Sequence, residues 1–324
     1  MNLRRFDALL TTGVYMGTGH GFGKTILFGE HFVVHGVPSI AAAIGKKTVA
    51  KVTKSPGTGY ILHDNRLATP GYKKDKLDQQ KDSIERVLKA AGVETSKTKL
   101  DITFEGDLVA ASGVGASAAS CVALARALSD EFKLGFSDEK VNSIAYEGEK
   151  VYHGTPSGID NTASTYGGLI WFKKGTPTTM EKIKVKAPVE IVLGNTGLVT
   201  NTEKAVAGVA ERKAKQPEKY AQIFTEAGAL ALKARKSLEV YDLKAVGKLM
   251  NENHKLLQSI EVSCKELDLL VDISMKNGAF GAKMTGGGLG GNIVALTPGK
   301  ELQNKVANAL ESAGFETVRT VIGV

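Results

Sequence analysis

Ser112-Gly113-Val114-Gly115-Ala116-Ser117-Ala118-Ala119-Ser120, followed at once by Cys121-Val122-Ala123-Leu124-Ala125-Arg126-Ala127-Leu128, is the stretch on which the reading of this chain turns. Its small residues let backbone N–H groups come close to an anion. The apolar run after them predicts a helix over 116–132, whose N-terminus adds about half a positive charge. The loop therefore reads as a phosphate site. It also fits the GxGxxA pattern of dinucleotide folds, but such a unit needs a strand after the helix that ends in an acidic ribose ligand. Here a second helical pattern follows, Asp138 to Tyr152, so phosphate binding is preferred to hydride transfer.

Two more glycine loops flank it. Gly17 to Thr25 (GTGHGFGKT) nearly fits a Walker A motif, but the first glycine of that motif falls at Thr18. Thr25-Ile26-Leu27-Phe28 reads as a strand where a P-loop would open a helix, so Lys24 is expected to point from a strand edge into a site. A glycine-rich hairpin with a surface lysine accounts for the segment equally well. Thr285 to Gly291 (TGGGLGG) lies between strand-like runs at Ala279 to Met284 and Asn292 to Leu296. It suits either close backbone approach to a ligand or a plain flexible turn. Between the second and third loops comes His153 to Asn161 (HGTPSGIDN), after Glu147-Gly148-Glu149. Asp160 alone reads as a turn cap. Joined to Lys24, Glu149 and a phosphate-binding helix start, it completes the set that phosphoryl transfer needs.

At 324 residues the chain is longer than a single core usually sustains, so two domains with a ligand cleft are expected. Strands are predicted at Thr25 to Gly29, Thr48 to Thr53, Lys99 to Phe104 and Gly168 to Phe172, with helices at Gln79 to Ala91, Ala116 to Phe132 and Asp138 to Tyr152. After Pro188 a strand (Glu190 to Gly194) leads into mostly helical sequence from Thr202 to Asn277, broken at Pro217 and Asp242, and then strand, loop, strand, helix, strand. A boundary near Pro188 divides the chain into 1–188 and 189–324.

Lys and Arg number 42 against 34 Asp and Glu, for a net charge of +8, which favours anionic ligands. The pairs Lys46-Lys47, Lys73-Lys74 and Lys173-Lys174 are scattered without stacking aromatics, which argues against a nucleic-acid partner. No segment is long and apolar enough to span a membrane. Ala8-Leu9-Leu10 after Arg4-Arg5 is too short for a secretory core, so a cytoplasmic protein with a poorly ordered leader is expected. Cys121 and Cys264 lack the spacing of a metal site or a disulfide framework.

In order and spacing, the loops together resemble the three signature motifs of the GHMP kinases (galacto-, homoserine, mevalonate and phosphomevalonate kinases), from Gly23 to Gly291. Gly23 to Gly36 (GKTILFGEHFVVHG) and Glu147 to Asn161 look most like the branch that phosphorylates mevalonate. The Asp-Tyr pair that galactokinases carry after Glu-His is absent, and the His that phosphomevalonate kinases tend to replace is kept.

The resemblance implies a two-domain α+β GHMP kinase fold: a ribosomal S5 domain 2-like ATP-binding domain and a ferredoxin-like C-terminal domain with a helical insert. ATP and Mg²⁺ would lie between them, with mevalonate as small-molecule substrate, and a homodimer is compatible with it. Carried over by position, Asp160 is the catalytic carboxylate, Lys24 the lysine beside the reacting hydroxyl, and Ser117 and Glu149 the Mg²⁺ ligands. Gly113, Gly115, Ala116, Ser117, Ala118, Gly286, Gly287 and Gly288 hold the nucleotide. Glu30, His31 and Thr202 take substrate-side positions, and Tyr166 lines the same pocket. Two departures bear on nucleotide affinity: Ala116 replaces the usual first serine of the second motif, where Ala110-Ala111-Ser112 precedes it, and Leu289 stands where glycine is common in the third. Another acceptor, such as phosphomevalonate or a polyol, a ligand sensor without turnover, and RNA binding are the alternatives. Retention of Lys24, Ser117, Glu149 and Asp160 argues against the sensor.

Overall fold

The computed structural model describes residues 15–69, 71–198 and 201–324; the expected leader lies largely outside them. The first half runs β1 (Gly17–Phe28), a 3₁₀ turn (Phe32–His35), β2 (Ser39–Ser55), β3 (Tyr60–Asp64), α1 (Tyr72–Asp75), α2 (Leu77–Ala91), β4 (Lys99–Gly106), α3 (Ala116–Glu131), α4 (Asp138–His153), α5 (Ile159–Tyr166), β5 (Leu169–Lys173) and β6 (Thr179–Ile183). The second runs β7 (Val189–Asn195), α6 (Thr202–Lys215), α7 (Pro217–Glu239), α8 (Leu243–Ser259), α9 (Lys265–Lys276), β8 (Gly281–Thr285), β9 (Asn292–Leu296), α10 (Lys300–Ser312) and β10 (Glu316–Ile322).

Strand β2 is the hub of the first half, antiparallel to β1, β4 and β5, with β3 parallel to β4 at the edge. In the second half β7 lies between β10 and β9, and β8 closes the far side. One pairing, Ile322 with Ile44, joins β10 to β2 and makes the two sheets continuous. A buried cluster follows the same path, from Leu27, Ile40, Ile44 and Trp171 to Ile191, Leu193, Met250 and Leu296.

The segment that suggested a glycine hairpin is a strand. Gly17, Gly19 and Gly21 alternate along β1 and face α3, where an added Cβ would stand 2.4, 2.4 and 2.3 Å from the carbonyl oxygens of Ala127, Ala123 and Ala119. Two strand residues advance about 6.6 Å and four helical residues about 6 Å, so the two repeats stay in step. Glycine allows the strand and helix backbones to touch. The match runs antiparallel, so β1 reaches the start of α3 as it arrives at Lys24, whose N–H bonds the Val114 carbonyl at 2.8 Å.

Candidate active site

Gly115 caps α3 in the left-handed region (φ 75°) with no side-chain acceptor. The first-turn N–H groups of Ala116, Ser117 and Ala118 therefore face the loop with no intrahelical partner, as an anion site requires. Gly113 is also left-handed (φ 74°). The amide of Asn292, at the start of β9, fits against it and donates to the Ser112 carbonyl at 2.7 Å, tying the second glycine loop to the third. In the third loop Gly286 and Gly288 are left-handed (φ 85° and 74°) and Gly286 opens onto free space. Leu289 takes φ 56° with its side chain half exposed, while its N–H bonds Val262.

Lys24 and Asp160 meet beside the α3 N-terminus, Nζ to Oδ2 at 3.2 Å. Asp160, read in the sequence as part of a turn, lies in the first turn of α5, where the helix dipole favours a carboxylate. Lys24 is buried, and an added Cβ at Gly115 would stand 2.7 Å from its Cγ. Glu149 comes in from α4 with 1% exposure, and neither carboxylate oxygen meets a donor at hydrogen-bonding geometry. Burial first and the nearby Asp160 charge second raise its pKa to about 8, against the opposing pull of Ser117 and Lys24. His153, one turn along α4, holds Nε2 3.7 Å from Glu149 Oε2, and its own burial favours the neutral ring.

A buried carboxylate with two free oxygens suits a hard divalent cation. Among the described residues no cluster of three or more His, Cys, Asp or Glu forms a cage. The Glu149 carboxylate would fit Mg²⁺, which takes one or two protein oxygens and completes its shell with phosphate and water.

On the substrate side the outcome is divided. His31, at φ 59°, directs Nε2 to the Gly287 carbonyl at 2.9 Å and leaves Nδ1 buried and unpartnered. Burial lowers its pKa to about 4, so the ring is neutral. Thr202, on α6, packs on Gly287, where an added Cβ would lie 2.4 Å from its Oγ1. Glu30 has Lys283 and Asn253 as its partners. Tyr166 sits at the far end of α5 from Asp160, about 9 Å along the axis, on the cluster of Val33, Ala41 and Ile170 and under Lys182. It makes no described contact with Lys24, His31 or Asp160.

Residues 81–168 match the family of GHMP kinases N terminal domains, and residues 234–316 that of GHMP kinases C terminal domains. The curated "Mevalonate kinase" of Thermococcus sibiricus is 34% identical over 318 residues, which cover 92% of this chain and 94% of that protein. The chain belongs to the mevalonate kinases of the GHMP family. The mevalonate kinase of Pyrococcus abyssi is also 34% identical, over 90% of this chain and 91% of its own length. The crystal structure of L. major mevalonate kinase in complex with R-mevalonate superposes with a TM-score of 0.90 at 38% identity, covering 94% of this chain and 95% of that one. A mevalonate kinase fold accounts for the mixed α+β architecture and for an ATP-dependent kinase acting on an alcohol.

In this mevalonate kinase, sequence reasoning missed Lys283, Asn253, Asn292 and His153. A lysine inside the run Gly281-Ala282-Lys283-Met284, where every residue is buried, is itself a signal, because such a charge needs a partner. The other three carry no comparable local mark.

Proposed function

We propose that this chain transfers the γ-phosphoryl group of ATP to the 5-hydroxyl of mevalonate, giving 5-phosphomevalonate, with residues 1–188 as the ATP-binding domain and 189–324 as the C-terminal domain. The observation that carries the reading is the contact of Lys24 with Asp160 at the open N-terminus of α3, with the unpartnered Glu149 beside it. The helix start and the third loop cradle the phosphates through backbone N–H groups. Asp160 accepts or orients the hydroxyl proton, and Lys24 lowers the cost of the developing alkoxide. Ser117 and Glu149 would hold Mg²⁺, which when bound would neutralise phosphate charge. His31, whose Nε2–H is held by the Gly287 carbonyl, presents Nδ1 to accept from a hydroxyl of mevalonate, and Thr202 flanks it. Because the transition state is loose, positioning and charge neutralisation supply most of the acceleration. The R-mevalonate bound by the L. major relative supports the acceptor. ADP release measured with mevalonate, phosphomevalonate, galactose and homoserine tests it: turnover with mevalonate alone is expected, and preference for another acceptor would overturn it.

A further inference from the structure

Lys283 stands in the middle of β8 with no exposure. An ammonium in such a place needs its charge met. It pairs with Glu30, equally buried, and donates to the Met284 carbonyl at 2.5 Å. Glu30 takes a second donor from Asn253 of α8, at 3.3 Å. Burial raises the Glu30 carboxyl and lowers the Lys283 amine, and each charge opposes the shift in the other.

Two further ties join the same two segments. Thr285 Oγ1 accepts from the Ile26 N–H at 2.9 Å and lies 3.1 Å from Thr25 Oγ1. His31 Nε2 meets the Gly287 carbonyl at 2.9 Å. Residues 25–31 are thus fastened to residues 283–287 at three successive points. The first segment carries the acceptor-side turn directly after Lys24, and the second leads into the third glycine loop. Hydrophobic residues of similar volume commonly replace a buried ion pair with no loss of stability. What apolar residues lack is direction: a carboxylate held by donors on β8 and α8 allows the turn one placement.

We propose that Lys283, acting through Glu30, is a positioning residue that fixes the third glycine loop against the turn bearing His31, and so sets the separation of donor phosphate and acceptor hydroxyl. It touches neither substrate. The inference rests on the function proposed above for its kinetic readout only.

Lys283→Met leaves Glu30 buried and unpaired and is expected to melt at lower temperature. The deciding variant is Glu30→Gln/Lys283→Met, which removes both charges. The expected result is a Tm near wild type and an affinity for a fluorescent ATP analogue within about 2-fold of wild type. With mevalonate, kcat falls roughly 10²-fold, the scale of a misplacement of about 1 Å, and amide hydrogen exchange over 285–291 is faster. Wild-type kcat and wild-type exchange in a stable double variant would overturn the inference and leave the pair a support of the fold. Asn253→Ala keeps the ion pair but frees one side of Glu30. It is expected to show both changes at smaller size, and their absence would overturn the inference even if the double variant does not fold. If wild type turns over no mevalonate, the proposed function fails, while the exchange comparison still decides the role of Lys283.

Discussion

Lys24 Nζ stands 3.2 Å from Asp160 Oδ2, a contact between β1 and the first turn of α5 that brings together residues 136 positions apart at the mouth of the α3 N-terminus. Asp160→Asn keeps the shape of the site and removes the charge proposed to receive or steer the proton. A fall in kcat of roughly 10²-fold or more is expected, the scale of general acid–base help, with ATP affinity near wild type in a fluorescent-analogue titration. Near-normal turnover would remove Asp160 from that role.

Glu149 links metal and pH. In the metal-free folded chain it keeps its proton to about pH 8, whereas an ordinary glutamate loses it near 4.5. The folded state then binds more protons in that window, and its stability falls as pH rises through it. His31 works in the opposite sense. Its pKa drops from 6.5 to about 4 in the fold, so its contribution is present above 6.5 and lost as pH falls toward 4. Between pH 6.5 and 8, in EDTA, the Tm of wild type is expected to fall more than that of Glu149→Gln. Parallel slopes would contradict the burial of an unpaired carboxyl.

If the proposed function holds, Ser117→Ala and Glu149→Gln each remove an oxygen that would hold Mg²⁺. Both are expected to shift the Mg²⁺ titration of ATP use to higher concentration. An unchanged titration in both variants would place the ligands elsewhere.

His31→Asn tolerates the left-handed backbone that a leucine would strain, which makes it the cleaner test of the side chain. KM for mevalonate is expected to rise by the equivalent of roughly 1–3 kcal/mol, the usual penalty for a lost buried polar partner, with KM for ATP close to wild type. Equal loss for both substrates, with a lower Tm, would reduce His31 to its bond with Gly287.

Gly21→Ala sets a methyl 2.3 Å from the Ala119 carbonyl and pushes β1 away from α3. A loss of roughly 1–3 kcal/mol or more in urea unfolding is expected, together with weaker ATP binding as the helix start moves. Wild-type stability would mean that the strand–helix contact is looser than the described backbone separation.

Helix α3 was legible because its signals are local: small residues before an apolar run mark an α-helix start, and α3 begins at Ala116 as expected. The same holds for α2 and α4, whose bounds differ from the expected ones by two residues at most. GTGHGFG was harder to read. Glycine disfavours strands in isolation, and only the facing alanines of α3 explain why β1 needs it. The motif around Glu30 marks it as a substrate-side residue, but nothing near it in the chain points to Lys283, the partner it meets 253 positions away. Composition, motif order and helix starts follow from short-range preferences, so the sequence by itself determined the fold class and the places of the glycine loops. Which buried charge meets which and which glycines lie under a helix were decided only by tertiary structure, because desolvation and contact at a few ångströms act between residues that the chain order leaves far apart.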